Sequence, residues 1–175
     1  MNYSTSNIDK LLIRKANHKD ISSIVKVRKA AFTSEEVQGF TAPTPSIFYS
    51  SARLEKAWQT DNKLKGGWNL LVAENNKEVI GFIVFKIENE FGYIDNINVA
   101  RTYQGKSVGR ALVSYVEQIT KSQGISVMKT DTTENAQGTP WKSYAFWTKM
   151  GYKDTGERFP TKWALKEIHF IKTVT

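Results

Sequence analysis

Residues 93–112 contain the side chains whose types and spacing are best suited to chemistry. They read as an apolar strand, a tight turn and a helix start punctuated by Gly105 and Gly109. The first N–H groups of a helix have no intrahelical acceptor, and the helix dipole places about half a positive charge there. The two glycines let ligand oxygens approach the backbone, and Lys106 and Arg110 add positive charge. The pattern predicts a loop that binds phosphate groups.

Two other kinds of phosphate loop fit this stretch less well. A Walker A loop needs a glycine five residues before Gly105, where Ala100 stands. A dinucleotide-binding fold needs Gly-x-Gly-x-x-Gly after an early strand, and the chain has no such pattern. A strand, turn and helix with incidental glycines is the remaining alternative.

The segment Gln-Gly-Lys-Ser-Val-Gly-Arg at 104–110 resembles the acetyl-CoA pyrophosphate loop, Gln/Arg-x-x-Gly-x-Gly/Ala, of the GNAT superfamily of N-acetyltransferases. The strand end at 97–99 is similar to the strand that precedes this loop in the family. The resemblance implies that acetyl-CoA is bound by Ile97, Asn98, Val99, Gln104, Gly105, Lys106, Ser107, Val108, Gly109 and Arg110. Ser107 departs from the pattern, because it replaces the middle glycine. A positive φ at Ser107 would cost about 1–2 kcal/mol.

Composition places the chain among ordinary globular proteins and excludes several kinds of site. The length of 175 residues predicts one domain over 1–175, with a core of about 10–173. The absence of cysteine excludes disulfides, thiolate metal sites and a cysteine nucleophile. His18 and His169 are too few to build a zinc site, so no metal and no histidine catalyst are expected.

Charge and hydropathy bear on partners and location. The chain has 25 basic and 17 acidic residues, a net charge of +8 that suits the phosphates of CoA. The lysines are scattered, which predicts a solvated basic surface and no nucleic-acid partner. No apolar run reaches the length of a membrane span, and residues 1–10 are polar. We therefore expect a cytoplasmic protein without a membrane partner.

The periodicity of apolar residues predicts alternating strands and helices. The expected strands are 11–14, 68–73, 79–87, 91–99, 125–130, 152–158 and 162–171. The expected helices are 18–32, capped by Asn17, then 46–62, 108–123 and 139–150, with a loop at 33–45. This order resembles the GNAT fold over nearly the whole chain. It implies an α/β (α+β mixed) domain with a central, mostly antiparallel mixed sheet of about seven strands, about four flanking helices, and splayed fourth and fifth strands.

Acetyl transfer to an amine requires a neutral amine, a donor for the oxyanion and an exit for the thiolate. An amine with a pKa near 10.4 is neutral only about 0.04% of the time at pH 7, so a base is needed. Asp95, on the fourth strand, is the first candidate for this base. Asp131 is the second, since many GNAT members resemble this chain in carrying an acid there, before an asparagine like Asn135. Glu35 and Glu36 suit a cationic acceptor or solvent better.

The resemblance also implies the remaining parts of the site. It places the oxyanion donor at a backbone N–H near Asn98 or Val99, and Asn135 against the pantetheine. The family's Tyr-x-Lys-hydrophobic-Gly-Phe/Tyr segment corresponds to 147–152, where Trp147 replaces the usual acid tyrosine. Indole has no acidic proton, and Tyr144, three residues earlier on the same helix face, is the candidate replacement. The spacing between Asn135 and Trp147 is eleven residues, longer than is common in the family.

These features predict an acetyl-CoA-dependent N-acetyltransferase that acts on a primary amine of a small molecule or peptide by direct attack. A CoA-binding module without turnover is the alternative, favoured by the missing tyrosine. The acceptor stays open. Aromatic residues of the first two helices and their loop suit either an acceptor pocket or the core: Phe32, Phe40, Phe48, Tyr49 and Trp58. The sheet ends leave a homodimer open.

Overall fold

Eight strands form one open mixed sheet in the computed structural model, which describes residues 10–40, 46–161 and 165–175. They are β1 Leu11–Lys15, β2 Lys63–Leu64, β3 Trp68–Asn75, β4 Glu78–Ile87, β5 Gly92–Val99, β6 Val127–Glu134, β7 Lys153–Pro160 and β8 Lys166–Thr173. Their order is β1-β3-β4-β5-β6-β8-β7, and β2 pairs with β3 off this path. β5 and β6 are parallel, whereas β1 with β3, β6 with β8, and β7 with β8 are antiparallel. The predicted fold class is confirmed.

The described helices are α1 Ile21–Ala30, α2 Ser34–Val37, α3 Ser51–Ala57, α4 Val108–Ser122 and α5 Ser143–Lys149. A 3-10 turn, His18–Asp20, leads into α1. Asn17 caps this turn as predicted: its side chain accepts a hydrogen bond from the N–H of Lys19, and its own N–H donates to Asp20. Among the described helices, none is long and apolar enough to cross a membrane.

Two compact units can be distinguished by their internal contacts. The first contains the described residues among 1–32, 46–84 and 96–115, and the second those among 33–45, 85–95 and 116–175. In the first unit, side chains of α1, α3, β3 and β4 form a fully buried core, including Ile24, Leu54, Leu70, Val72 and Phe82. In the second unit, Met128, Ile168 and Phe170 are buried to the same degree. The single domain over 1–175 stays a prediction.

Local sequence explains several boundaries of these elements. Asn76 and Lys77 join β3 to β4 with φ of 48° and 68°, the left-handed two-residue turn that suits the twist of a hairpin. This confirms the hairpin expected there. Gly124, with φ of 77°, follows α4 as the expected stop.

The predicted helix 46–62 was wrong in extent. A 3-10 turn, Ile47–Tyr49, is followed by α3, because Ser50 between them has extended φ and ψ of −141° and 127°. The helix then ends at Ala57, since Trp58 forms a β-bridge with Leu64. β2, which pairs Lys63 with Asn69 of β3, was not predicted.

Three further boundaries differ from the sequence-based expectation. The predicted helix 139–150 starts only at Ser143, because the N–H of Trp141 donates to the carbonyl of Thr133, which extends the chain along the end of β6. The predicted loop 33–45 contains α2, which has a capping box of Thr33 and Glu36. β6 lies later than the predicted 125–130. Residues 1–9, 41–45 and 162–164 of the predicted segments lie outside the described residues.

Candidate active site

The segment between β5 and α4, in the first unit, has the backbone geometry of an anion-binding loop. A 3-10 turn, Arg101–Tyr103, follows β5, and the chain then turns through Gly105 with φ of 76° and Ser107 with φ of 65°. A Cβ built on Gly105 would have no atom within 4 Å. With its φ of 65°, Ser107 has the left-handed conformation that a glycine would adopt without strain.

The start of α4 presents backbone donors without helical partners. Ala111 is the first residue whose N–H has a helical acceptor, the carbonyl of Ser107 at 2.9 Å. The N–H groups of Val108, Gly109 and Arg110 precede it, so the helix itself offers them no acceptor. Together with the helix dipole, they favour a bound anion at this end.

Gln104 holds the loop in place through its side chain. Its Nε2 donates to the carbonyl of Ala31, just past α1, at 2.7 Å, and to the carbonyl of Val99 at 2.9 Å. Both amide hydrogens are thus used within the protein. We interpret Gln104 as a positioning residue for the loop, although its role as a cofactor contact stays a prediction.

The end of β5 lies close to β4 and α4 because Gly81 has no side chain. A Cβ at Gly81 would lie 3.1 Å from the carbonyl oxygen of Asn98 and 3.3 Å from Cγ1 of Val108. Asn98 itself is only 2% exposed, and its Oδ1 accepts a hydrogen bond from Arg28 Nη1 at 2.7 Å. The side chain of Asn98 is therefore occupied inside the protein. We therefore expect the backbone groups of Ile97, Asn98 and Val99 to make their predicted contacts with a cofactor.

Carboxylates gather in the second unit where the β5–β6 ladder ends. The ladder pairs Gly92 with Met128 and continues to Ile94 with Thr130; Asp95 and Asp131 are the next residues on the two strands. Asp131 is paired with His169 of β8. Because side chains alternate along a strand, Tyr93 and Asp95 lie on the same face as Asp131. The Tyr93 hydroxyl donates a hydrogen bond to Asp131.

This cluster changes the acidity of Asp131. Burial raises the pKa of its carboxyl from 3.8 to about 6, and the negative charges of Glu167 and Asp95 act in the same direction. The hydrogen bond from Tyr93 and the nearby His169 oppose that rise in pKa. Burial, with the charge of Asp131, also raises the pKa of Tyr93, so this phenol keeps its proton.

Asp95 has a different environment from Asp131. Burial raises the pKa of its carboxyl as well, but the residue is exposed to solvent. Water therefore screens the carboxyl of Asp95 more than that of Asp131, and we expect a smaller rise in the pKa of Asp95. Asp131 is the carboxyl whose pKa is raised to about 6, and the roles of Asp95 and Asp131 as bases stay predictions.

Asn135 and Glu36 have local structural partners. The Asn135 Oδ1 accepts hydrogen bonds from the N–H groups of Gln137 at 3.1 Å and Thr139 at 2.9 Å, which shapes the loop after β6. Glu36 accepts the N–H of Thr33 and forms an ion pair with Lys142 at 2.9 Å. The pantetheine contact of Asn135 stays a prediction, and its carbonyl oxygen already has partners.

The aromatic residues of α5 lie in packed surroundings. Trp147 is 2% exposed and contacts the ring of Tyr152, with centroids 5.1 Å apart. The Tyr144 hydroxyl donates to Asp154 at 3.1 Å, and this bond raises the pKa of Tyr144. Asp154 is in turn paired with Arg158 at 2.8 Å. The Tyr144 proton is thus held in a hydrogen bond, and its role as an acid stays a prediction.

Sequence reasoning missed Gly81 in the first unit, and Tyr93 and His169 in the second. Gly81 carries no local signal for its close approach to Asn98. Tyr93 and His169 reach Asp131 only through strand register, which a single sequence does not specify. His169 Nε2 also lies 3.4 Å from Glu167 Oε2, so it belongs to the same cluster. No group of three or more residues suited to hold a metal occurs within the described parts of the chain.

Comparison with known proteins gives a consistent result. The model of the Acetyltransferase (GNAT) family matches residues 31–152. A Bacillus subtilis (strain 168) protein named “putative acetyltransferase” is 22% identical over 143 residues, which cover 82% of this chain and 83% of that protein.

Solved structures of acetyltransferases share the fold. The PaiA N-acetyltransferase of Thermoplasma acidophilum, in complex with coenzyme A, superposes with a TM-score of 0.65 and 18% identity, covering 91% of this chain and 98% of that one. The ribosomal-protein-S18-alanine N-acetyltransferase of Escherichia coli superposes with a TM-score of 0.66 and 15% identity, covering 95% of both chains. At these identities the likeness concerns the fold alone.

Proposed function

The chain belongs to the acetyltransferase (GNAT) family, and we propose that it is an acetyl-CoA-dependent N-acetyltransferase acting on a primary amine of a small molecule or peptide. The observation that carries this proposal is the loop at 104–110, where two left-handed residues precede the unpaired N–H groups of α4. The coenzyme A bound to the Thermoplasma acidophilum relative supports acetyl-CoA as the donor. Three or four such amides, each contributing about 1.5–3 kcal/mol to a charged acceptor, would supply most of the roughly 8 kcal/mol that micromolar binding requires.

Asp131 is the proposed base, and Asp95 is the second candidate. The amine nitrogen forms a bond to the acetyl carbonyl carbon, the carbon–sulfur bond breaks, and its electron pair leaves with the CoA thiolate. The proton lost by the amine goes to Asp131, directly or through water. A carboxyl with a pKa of about 6 is mostly ionised at pH 7 and is a stronger base than an ordinary aspartate.

The thiolate does not require a tyrosine to leave. A thiol with a pKa near 8.5 is only about 1.5 pH units above neutrality, so protonation from water costs about 2 kcal/mol. Trp147 then contributes packing, and Tyr144 remains the candidate donor if one acts. The developing oxyanion is assigned to a backbone N–H near Asn98 or Val99.

A second function, CoA binding without turnover, is favoured by Trp147 at the position of the usual acid. Isothermal titration with acetyl-CoA tests the shared part of both hypotheses. Absence of binding at high micromolar concentration would overturn both. Incubation with acetyl-CoA and a mixture of small amines and peptide N-termini, read by mass spectrometry, then separates them. Acetylated product supports the enzyme, and binding without any product supports the module.

A further inference from the structure

Arg28, on α1 in the first unit, is a half-buried cation in contact with two aromatic rings. Its guanidinium carbon lies 4.8 Å from the ring centroid of Phe32 and 4.7 Å from that of Tyr49. These cation–π contacts hold the guanidinium in place, and a guanidinium presents its N–H donors as a planar fork. Such a fixed fork suits bidentate recognition of an anion.

The hydrogen-bond capacity of Arg28 is only partly used. Nη1 donates to Oδ1 of Asn98 at 2.7 Å, a neutral acceptor. Nε is buried and has no hydrogen-bond partner. Among the residues that the structure describes, no carboxylate forms an ion pair with Arg28. Burial lowers the pKa of Arg28, although the charge of the Tyr49 phenolate and a side-chain hydrogen bond with Tyr49 oppose that effect.

An arginine in this state is unusual, because a desolvated charge is normally paired with an opposite one. By contrast, Arg14 in the same unit is paired with Asp20 at 2.7 Å and with Glu74 at 2.8 Å. Carboxylates thus pair with Arg14, whereas none of the described carboxylates pairs with Arg28. An external anion would provide the missing partner.

The position of Arg28 connects this anion to the cofactor segment. Asn98, which Arg28 contacts, lies on the stretch of β5 assigned to acetyl-CoA. Ala31, three residues after Arg28, accepts the hydrogen bond from Gln104 of the cofactor loop. The end of α1 thus holds both Arg28 and the cofactor loop in one arrangement, within a single unit. A group bound by Arg28 would lie beside the β5 backbone.

We propose that Arg28 binds a carboxylate of the acceptor, which makes the acceptor an aminocarboxylate such as an amino acid. This inference rests on the proposed acetyltransferase function. The carboxylate is held by the guanidinium fork, and the amine on the neighbouring carbon is directed toward the acetyl group. Phe32 and Tyr49 add apolar surface for a side chain. A polycationic acceptor is disfavoured, since it would be repelled by Arg28.

The test compares each amino acid with its primary amide, which differs in the carboxylate alone. We would titrate L-phenylalanine, L-leucine and glycine, and their amides, into the protein saturated with CoA, and measure affinities by calorimetry. At least one acid should bind ten-fold or more tightly than its amide. Arg28→Gln should abolish this preference, and Arg28→Lys should retain part of it, because a single charge replaces a fork. Thermal melts check that the variants fold.

Lys26→Gln is the matched control, because Lys26 is an exposed residue of the same helix and its loss changes the net charge equally. It should keep the preference for the acids. Equal binding of acids and amides, a preference that survives in Arg28→Gln, or no binding by any acid would overturn the inference. Titration of CoA-free samples of the same proteins with acetyl-CoA reports separately on the proposed function. Acids that bind through Arg28 but are never acetylated would overturn that function alone.

Discussion

Replacing Asp131 with asparagine should make the protein more stable at neutral pH while removing its activity. In the folded protein the carboxyl has a pKa of about 6, against 3.8 for the ordinary group. Above pH 6 the folded state must therefore hold a charge that its surroundings disfavour. Asparagine has a similar shape, can still accept the hydrogen bond from Tyr93, and carries no charge.

The size of the effect follows from the pKa difference. About two pH units correspond to about 3 kcal/mol between the protonated and ionised forms. Because Asp131 is only half-buried, solvent reduces this figure to about 2 kcal/mol. Between pH 4 and 6 the folded state binds more protons than the unfolded state, so the wild type gains stability as the pH falls. The advantage of Asp131→Asn is therefore largest above pH 6 and is lost toward pH 4.

Thermal unfolding at several pH values between 4 and 8 measures this prediction. At pH 7.5 we expect a Tm increase of about 4–8 °C for Asp131→Asn in a chain of this size. Glu90→Gln, an exposed residue of the same unit, is the control and should show no such pH dependence. Lower stability of Asp131→Asn at pH 7.5, or a gain that does not change with pH, would refute the assignment of a raised pKa. Full acetyltransferase activity in Asp131→Asn would refute its role as the base.

Three further variants test the loop and the second unit. Ser107→Gly should relieve the left-handed strain and raise the Tm by about 2–4 °C, about 1 kcal/mol, without weakening acetyl-CoA binding; an unchanged or lower Tm would contradict that strain. Gly109→Asp should abolish acetyl-CoA binding in calorimetry while the circular dichroism spectrum is retained, because a carboxylate would lie against the pyrophosphate, and unchanged affinity would show that the loop is misassigned. Gly92→Ala should destabilise the fold by about 1–3 kcal/mol in urea unfolding, since its Cβ would lie 2.6 Å from Met128 Sδ, whereas Gly124→Ala, with no atom within 4 Å, should lose only about 1 kcal/mol.

Local pattern was enough to predict the elements whose signals are all short-range. The start of α4, the glycine that follows it and the turn at Asn76 and Lys77 each depend on residues within a few positions. The predicted helix 46–62 was wrong in extent because contacts between residues distant in sequence decide the structure of this segment. Its apolar spacing suits a helix, but the extended conformation of Ser50 and the pairing of Trp58 with Leu64 come from tertiary contacts that spacing does not contain.

The candidate base also combines features that the sequence shows with features that depend on long-range structure. Asp95 and Asp131 are both visible in sequence as carboxylates near strand ends. Their ranking depends on burial and on partners from other strands: Tyr93 is 38 residues from Asp131, and His169 is paired with Asp131 across the β6–β8 ladder. Strand register decides these neighbours, and a shift of one residue would place Asp131 on the other face.

Three residues at the proposed functional positions oppose folding in different ways. Ser107 has a backbone conformation that favours glycine, Asp131 is a carboxylate in desolvating surroundings, and Arg28 is a half-buried cation with no carboxylate partner among the described residues. Each costs on the order of 1–3 kcal/mol, against a typical total stability of about 5–15 kcal/mol. A chain shaped for stability alone would have a glycine, an amide and a paired arginine at these positions. Such departures from local rules are expected where a ligand or a reaction uses the group. A bound cofactor or acceptor that contacts these residues should therefore offset part of that cost and raise the thermal stability of the protein.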